Sequence, residues 1–213
     1  MACRLIFVRH GQSLGNKVRS FLGHTNLDLS ELGYMQAEIT GKYLSKRNID
    51  VIYSSDLIRA YHTSLPLAKL KNIVPEKREN LREIFAGEWE NQLFDDLVEK
   101  KKETYGIWKE NIGFAVPDGG ESVWDLRNRI IKEITLIAEE NEGKTVAVFT
   151  HATPIRTFFS FVRGMKRGEI KNIPWASNAS VSEAIYENGK FTEVSYSVDD
   201  FLGEVSSTFP KNV

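Results

Sequence analysis

Cysteine is nearly missing from this 213-residue chain: Cys3 stands alone. An intrachain disulfide is therefore impossible, and a cysteine-based zinc site is excluded. An excess of either charge is missing too. Lys and Arg number 28 against 29 Asp and Glu, for a net charge of −1. That balance gives no electrostatic case for nucleic acid or an acidic membrane, so any bound anion must be caught by a local site. No apolar run approaches the roughly 18 residues of a transmembrane helix. The N-terminal stretch lacks the long apolar core of a signal peptide, and a cytoplasmic location is the expectation. Repeats, low-complexity tracts and evident linkers are absent. The remainder is ordinary globular material, 41% hydrophobic and 27% charged. The length suits one domain over residues 1–213, with an insertion, and about 70% of its unfolded surface can be buried.

Three short apolar runs stand out: Leu5–Val8, Val51–Tyr53 and Thr145–Phe149. Runs of this kind read as strands buried on both faces of a parallel sheet. Between them lie helical patterns. Leu32, Met35, Ile39, Tyr43 and Leu44 recur at helical steps, and so do Val123, Leu126, Ile130, Ile134 and Ile137. Ser122 and Asp125 read as a capping box for the second of these helices. Thr153-Pro154 reads as an N-cap followed by proline at the first helical position. Ser180–Tyr186 and Phe191–Ser197 flank Asn188-Gly189, a hairpin signal. The pattern predicts an α/β fold: a three-layer α/β/α sandwich with a mostly parallel sheet. Residues at about 85–120 break the rhythm and read as a mainly helical insertion over the active-site edge. The residues from Phe201 onward are weakly patterned and read as a surface-wrapping or frayed tail.

Ligands of open α/β sheets bind beyond the carboxyl ends of the strands. Two of the four histidines, His10 and His151, directly follow apolar strands, and Arg9 and Arg59 come to the same edge. The spacing of a zinc-binding helix and an obvious third ligand are lacking, so the expectation is that the site holds no metal and no cofactor. Two arginines suit a phosphate group, because the guanidinium is planar, permanently charged and bidentate. A neutral imidazole can attack phosphorus, and nearby arginines keep it neutral.

Four blocks of residues carry a resemblance. Arg9-His10-Gly11-Gln12-Ser13 with Asn16, then Ser55-Asp56-Leu57-Ile58-Arg59-Ala60 with Thr63, then Leu81-Arg82-Glu83 with Gly87 and Trp89-Glu90, and last His151-Ala152 with Ile155-Arg156 occur in this order. They resemble the signature blocks of the histidine phosphatase superfamily, in its phosphoglycerate mutase-like branch. The resemblance implies that His10 becomes a phosphohistidine, while Arg9, Arg59 and His151 hold the transferring phosphoryl group. It implies that Glu83 is the acid for the leaving oxygen and then the base for water. It places Ser13, Asn16, Gly23 and Ala152 among the phosphate and substrate contacts. Gln12 stands where the family more often has glutamate, and Ala152 where it has glycine.

Other candidates have plainer readings. Glu88 and Glu90 are rivals to Glu83 as the acid. His62 reads as a helix-surface or packing histidine, and His24 as a loop histidine in a structural or solvent role that could reach substrate. Cys3 reads as a packing residue, Lys100–Lys102 as a solvated face, and the aromatic residues of the insertion as a small core. The expected activity is hydrolysis of a small phosphomonoester through a covalent phosphohistidine. The alternatives are a cofactor-dependent phosphoglycerate mutase and a catalytically weak phosphate-binding protein. Glu83-Ile84-Phe85-Ala86-Gly87 differs from the E-R-H-Y-G that the resemblance associates with mutases, which favours a phosphatase.

Overall fold

Leu5–Val8 offers no polar side chain to solvent, so it must be covered on both faces. In the structure, a computed structural model that describes residues 1–207, this run lies inside β1 (Cys3–Arg9). The chain continues through α1 (Leu14–Val18), α2 (Glu31–Ser45), β2 (Val51–Ser54), α3 (Ile58–Lys71) and β3 (Glu76–Lys77). Next come α4 (Phe94–Lys100), α5 (Lys102–Asn111), α6 (Val123–Glu140), β4 (Thr145–Thr150) and α7 (Ala152–Val162). The hairpin strands β5 (Val181–Glu187) and β6 (Lys190–Val198) follow.

These strands form one six-stranded sheet in the order β3-β2-β4-β1-β5-β6. The first four positions pair in parallel, and β5 and β6 add an antiparallel hairpin at one side. Alternation along the strands creates two cores. Leu5, Phe7, Val146 and Val148 pack with Leu126, Ile130, Ile134 and Phe158 of α6 and α7. Ile6, Val8, Ile52, Ala147 and Phe149 pack with Leu44 and Leu67 of α2 and α3. The expected three-layer sandwich is what forms. At the β5–β6 turn Asn188 and Gly189 take φ of 51° and 76°, the paired left-handed geometry of a two-residue hairpin turn.

Three expectations change in detail. Helix α7 starts at Ala152, and His151 is its N-cap. Thr153 is therefore not the cap, and Pro154 is the third helical residue. Proline is still tolerated there, because N–H groups in a first turn have no helical partner. The stretch from Phe201 is ordered where described: Asp200–Val205 forms a 3-10 turn, and Phe201 stacks on Tyr43 of α2 at 4.0 Å. Residues 208–213 lie outside the described residues. Ser122 caps α6 by accepting from the Asp125 N–H at 3.0 Å, but the Asp125 carboxyl accepts from the Ser122 hydroxyl and not from its backbone N–H, so the expected capping box is only half formed.

Between 85 and 120 the chain forms α4 and α5 with 3-10 turns on either side. Trp89, Tyr105 and Trp108 are buried there. Trp89 and Trp108 meet Phe21 edge-on, with ring centroids 5.5 and 5.0 Å from it. These aromatics build a core that fastens the helices to the segment following β1.

Candidate active site

Parallel pairing of β1 and β4 puts Arg9 opposite Thr150. The next residues, His10 and His151, must then emerge side by side, and their ring centroids are 5.1 Å apart. Strand β2 lies against the other side of β4 and delivers Ser55, whose Oγ is 2.9 Å from His151 Nε2. Arg59 sits in the first turn of α3. Its guanidinium donates to the carbonyls of Gly23 and Thr25, each at 2.8 Å. The Arg9 guanidinium donates to the Ala176 carbonyl at 2.5 Å. Both arginines and both histidines are buried.

The electrostatics follow from this packing. His10 Nδ1 lies 2.7 Å from the Gly11 carbonyl. A carbonyl only accepts, so Nδ1 carries the proton and the lone pair is on Nε2. Burial, then the charges of Arg59 and Arg9, hold His10 well below its ordinary value of 6.5. Burial, Arg59 and His10 do the same to His151. Burial lowers Arg9 to about 9 and Arg59 to about 10, and both stay charged at neutral pH. Two buried cations beside two neutral imidazoles make a cluster that suits an anion and can offer it a nitrogen lone pair.

Glu83 is buried against this group. Its carboxyl accepts from the Ile84 N–H at 2.8 Å and from the Thr153 N–H, at the start of α7, at 3.2 Å. Burial still outweighs these bonds and the Arg59 charge, and raises its pKa. Arg129 supports this segment from α6, donating to the carbonyls of Asn80, Arg82 and Glu83 while pairing with Glu121. The rival acids differ. Glu90 accepts from the N–H groups of Gly23, His24, Thr25 and Ala86 and from the Thr25 hydroxyl. These donors overcome burial and lower its pKa, so it is an ionised clamp for the Gly23–Thr25 loop. Glu88 is exposed and pairs with Lys101.

His10, His151, Arg9, Arg59 and Glu83 thus come together. Ser13 and Asn16 are committed to each other as the capping box of α1, and Asn16 Oδ1 also accepts from Asn178 at 3.2 Å. Gly23 supplies a carbonyl to Arg59, and Ala152 opens α7 beside His151. His24 lies at the rim, its Nε2 3.0 Å from the Glu83 carbonyl. His62 is away from the site, paired with Asp28 and Tyr34. Cys3 is buried in β1 and its thiol is pushed up to about 11 by that burial. Lys100 and Lys101 pair with Asp96, Glu88 and Asp118 at the surface.

Sequence pattern does not point to three further contributors. Ser55 and Thr63 lie inside one of the four blocks, yet nothing there shows that Ser55 reaches His151 or that Thr63 reaches Gly11. Asn178 donates to the His10 carbonyl at 3.2 Å from 168 residues away. Thr63 accepts from the Gly11 N–H at 3.0 Å. Such contacts depend on which strands are neighbours, and local pattern carries no sign of them. Among the described residues no group of three or more His, Cys, Asp or Glu could hold a metal ion. No described helix is long and apolar enough to cross a membrane.

Comparison with known proteins fits this geometry. The sequence model of the histidine phosphatase superfamily (branch 1) matches residues 5–199. Phosphoserine phosphatase 1 of Hydrogenobacter thermophilus is 32% identical over 94% of this chain and 95% of its own length. A protein of Arabidopsis thaliana named metal-independent phosphoserine phosphatase is 32% identical over 73% of this chain and 66% of its own. A mycobacterial glucosyl-3-phosphoglycerate phosphatase superposes with a TM-score of 0.84 at 26% identity, covering 93% of this chain and all of that one.

Proposed function

The chain belongs to the histidine phosphatase superfamily, and from that premise we propose that it hydrolyses a small phosphomonoester through a covalent phosphohistidine at His10, without a metal ion. The observation that carries this reading is the His10 ring: its Nδ1 is held by the Gly11 carbonyl, leaving a neutral, nucleophilic Nε2 beside two buried guanidiniums. Nε2 attacks phosphorus, and the N–P bond forms as the ester P–O bond breaks. Glu83 gives its proton to the departing oxygen, which its raised pKa allows. Arg9, Arg59 and His151 take the phosphoryl oxygens. The two guanidiniums bring the positive charge that magnesium supplies in many other phosphoryl transfers. The Glu83 carboxylate then takes a proton from water, whose oxygen attacks phosphorus as the N–P bond breaks. Inorganic phosphate leaves and His10 is again neutral. The names of the Hydrogenobacter and mycobacterial relatives support a phosphorylated metabolite as substrate.

The test is phosphate release from a panel of phosphorylated metabolites, with and without EDTA, together with rapid-quench trapping of labelled enzyme. Turnover is expected to survive EDTA. The trapped label is expected to be acid-labile and alkali-stable, and to vanish in His10→Ala. Isomerisation of 3-phosphoglycerate in place of phosphate release would make the protein a mutase. An unchanged adduct in His10→Ala would remove His10 as nucleophile.

A further inference from the structure

We propose that Ser55 is a positioning residue that fixes the tautomer of His151, so that His151 presents an N–H from Nδ1 to the phosphoryl group. The proposal rests on the phosphatase reading for its purpose, though not for its geometry. Ser55 and His151 are both fully buried, and Ser55 Oγ is 2.9 Å from His151 Nε2. Between them they carry one hydroxyl proton and one ring proton, with no solvent contact to satisfy either.

Counting donors decides the direction of the bond. Ser55 Oγ already accepts from the Leu57 N–H at 3.3 Å. A hydroxyl has one proton to give and two lone pairs to fill. If Ser55 donates to Nε2, its proton has a partner, and the ring proton must sit on Nδ1. If instead Nε2–H donates to Ser55, the oxygen accepts twice and its own proton has no acceptor among the described residues. Among the described residues, donation from Ser55 therefore leaves one group unpartnered, the Nδ1 proton, whereas the reverse leaves two, the Ser55 proton and the Nδ1 lone pair, and an unsatisfied buried group costs about 1–3 kcal/mol.

The far side of the ring shows why this matters. His151 Nδ1 is buried with no hydrogen-bond partner among the described residues. Its ring lies against His10, the proposed nucleophile, and its charge state feels both Arg59 and His10. Because His151 is held neutral, it has one donor nitrogen and one acceptor nitrogen. A phosphoryl group offers only acceptor oxygens. A lone pair on Nδ1 would face those oxygens repulsively, whereas an N–H would bond to the charge that develops during transfer. The hydrogen bond at one ring nitrogen sets the state of the other, and here Ser55 makes that bond.

The experiment reads the tautomer directly. In the full-length protein labelled with 15N-histidine, His151 signals are assigned by their loss in His151→Gln, and the protonated nitrogen is identified by NMR. The wild-type ring is expected in the Nδ1–H form, with Ser55→Thr keeping it and Ser55→Ala populating the Nε2–H form. Ser55→Ala is also expected to lower kcat for p-nitrophenyl phosphate about 10–100-fold, the cost seen for outer partners of metal-bound histidines. KM should change little, vanadate inhibition should weaken, and Ser55→Thr should recover most of the rate. A wild-type ring in the Nε2–H form overturns the proposal, and needs no variant to fold. So does a Ser55→Ala ring still wholly in the Nδ1–H form. If no phosphomonoester is hydrolysed by the wild type, the phosphatase reading fails, and the NMR result still decides the role of Ser55.

Discussion

Glu83 and Glu90 carry the same carboxyl group in one short segment, yet they titrate in opposite directions. The difference lies in the number of donors each can reach. Glu90 is surrounded by N–H groups from two loops and stays ionised, whereas Glu83 has two such donors and deeper burial. This choice is open in the sequence, where Glu83, Glu88 and Glu90 differ only in motif position. Beside the local Ile84 and Ala86 N–H groups, their donors come from Gly23–Thr25 and from Thr153, distant segments that no local pattern connects. A general acid contributes about 10²–10⁴-fold. If Glu83 is the acid proposed above, Glu83→Gln is expected to slow phosphorylation by alkyl phosphates within that range, because an alkoxide must be protonated as it leaves. With p-nitrophenyl phosphate, whose leaving group needs no proton, the pre-steady-state burst should persist and only the later steady phase should slow. Equal loss of both bursts would reduce Glu83 to a binding or structural part.

Elements differ in how openly the sequence displays them. Strands β1 and β4 are legible because both faces are buried, which leaves an unbroken apolar run. The β5–β6 hairpin is legible because its turn demands left-handed residues. Strand β3 consists of two exposed charged residues, Glu76 and Lys77, so alternation has nothing to act on. Helix α1 has five residues, too few for a period. The true start of α7 is hidden because His151 caps it with extended backbone and no side-chain bond. The loop holding Arg59 is the least legible piece and is sterically tight. A Cβ on Gly23 would come within 2.3 Å of Glu90 Oε1 and 2.4 Å of the Ile84 carbonyl. Gly23→Ala must then push the Gly23 carbonyl away from Arg59. We expect a KM for phosphomonoesters raised about tenfold, equal to the ~1.4 kcal/mol of a weakened charge-assisted bond. A stability loss of about 1–3 kcal/mol, typical of overpacking, should accompany it. In α5, a Cβ added at Gly106 would meet open space, with no atom within 4 Å. Gly106→Ala should leave KM unchanged and stabilise by up to ~1 kcal/mol. Denaturant titration and steady-state kinetics on the pair check both expectations.

For the whole molecule, the buried site makes stability depend on pH. His10 and His151 have native pKa values well below 6.5. As pH falls below 6.5 the unfolded chain binds protons that the native state refuses. Stability then declines until the native values are reached, by up to ~1.4 kcal/mol per histidine per pH unit. Glu83 acts with the opposite sign, because its native pKa lies above its unfolded 4.5. Its contribution grows as pH falls through the native value toward 4.5, but it is one group against two. Below about 4.5 the depressed carboxylates of Glu90 and Glu183 begin to be protonated, and their stabilisation is lost in turn. Urea midpoints should therefore fall between pH 7 and pH 5. The double variant His10→Gln, His151→Gln should show a flatter profile across that interval. An unchanged slope would mean that the two imidazoles are not the groups responsible.

The parallel pairing of β1 with β4 has a kinetic consequence. Arg9 meets Thr150 across about two thirds of the chain, and Asn178 must also return to His10. Closing loops of that size costs entropy before any contact rewards it, which makes such topologies slow to fold. A nascent chain cannot hold a partial site, since the first histidine waits for strand and helix made much later. The proposed site is therefore complete only when the central sheet is, and a chain that stops short of β4 lacks His151 and is expected to show no phosphatase turnover.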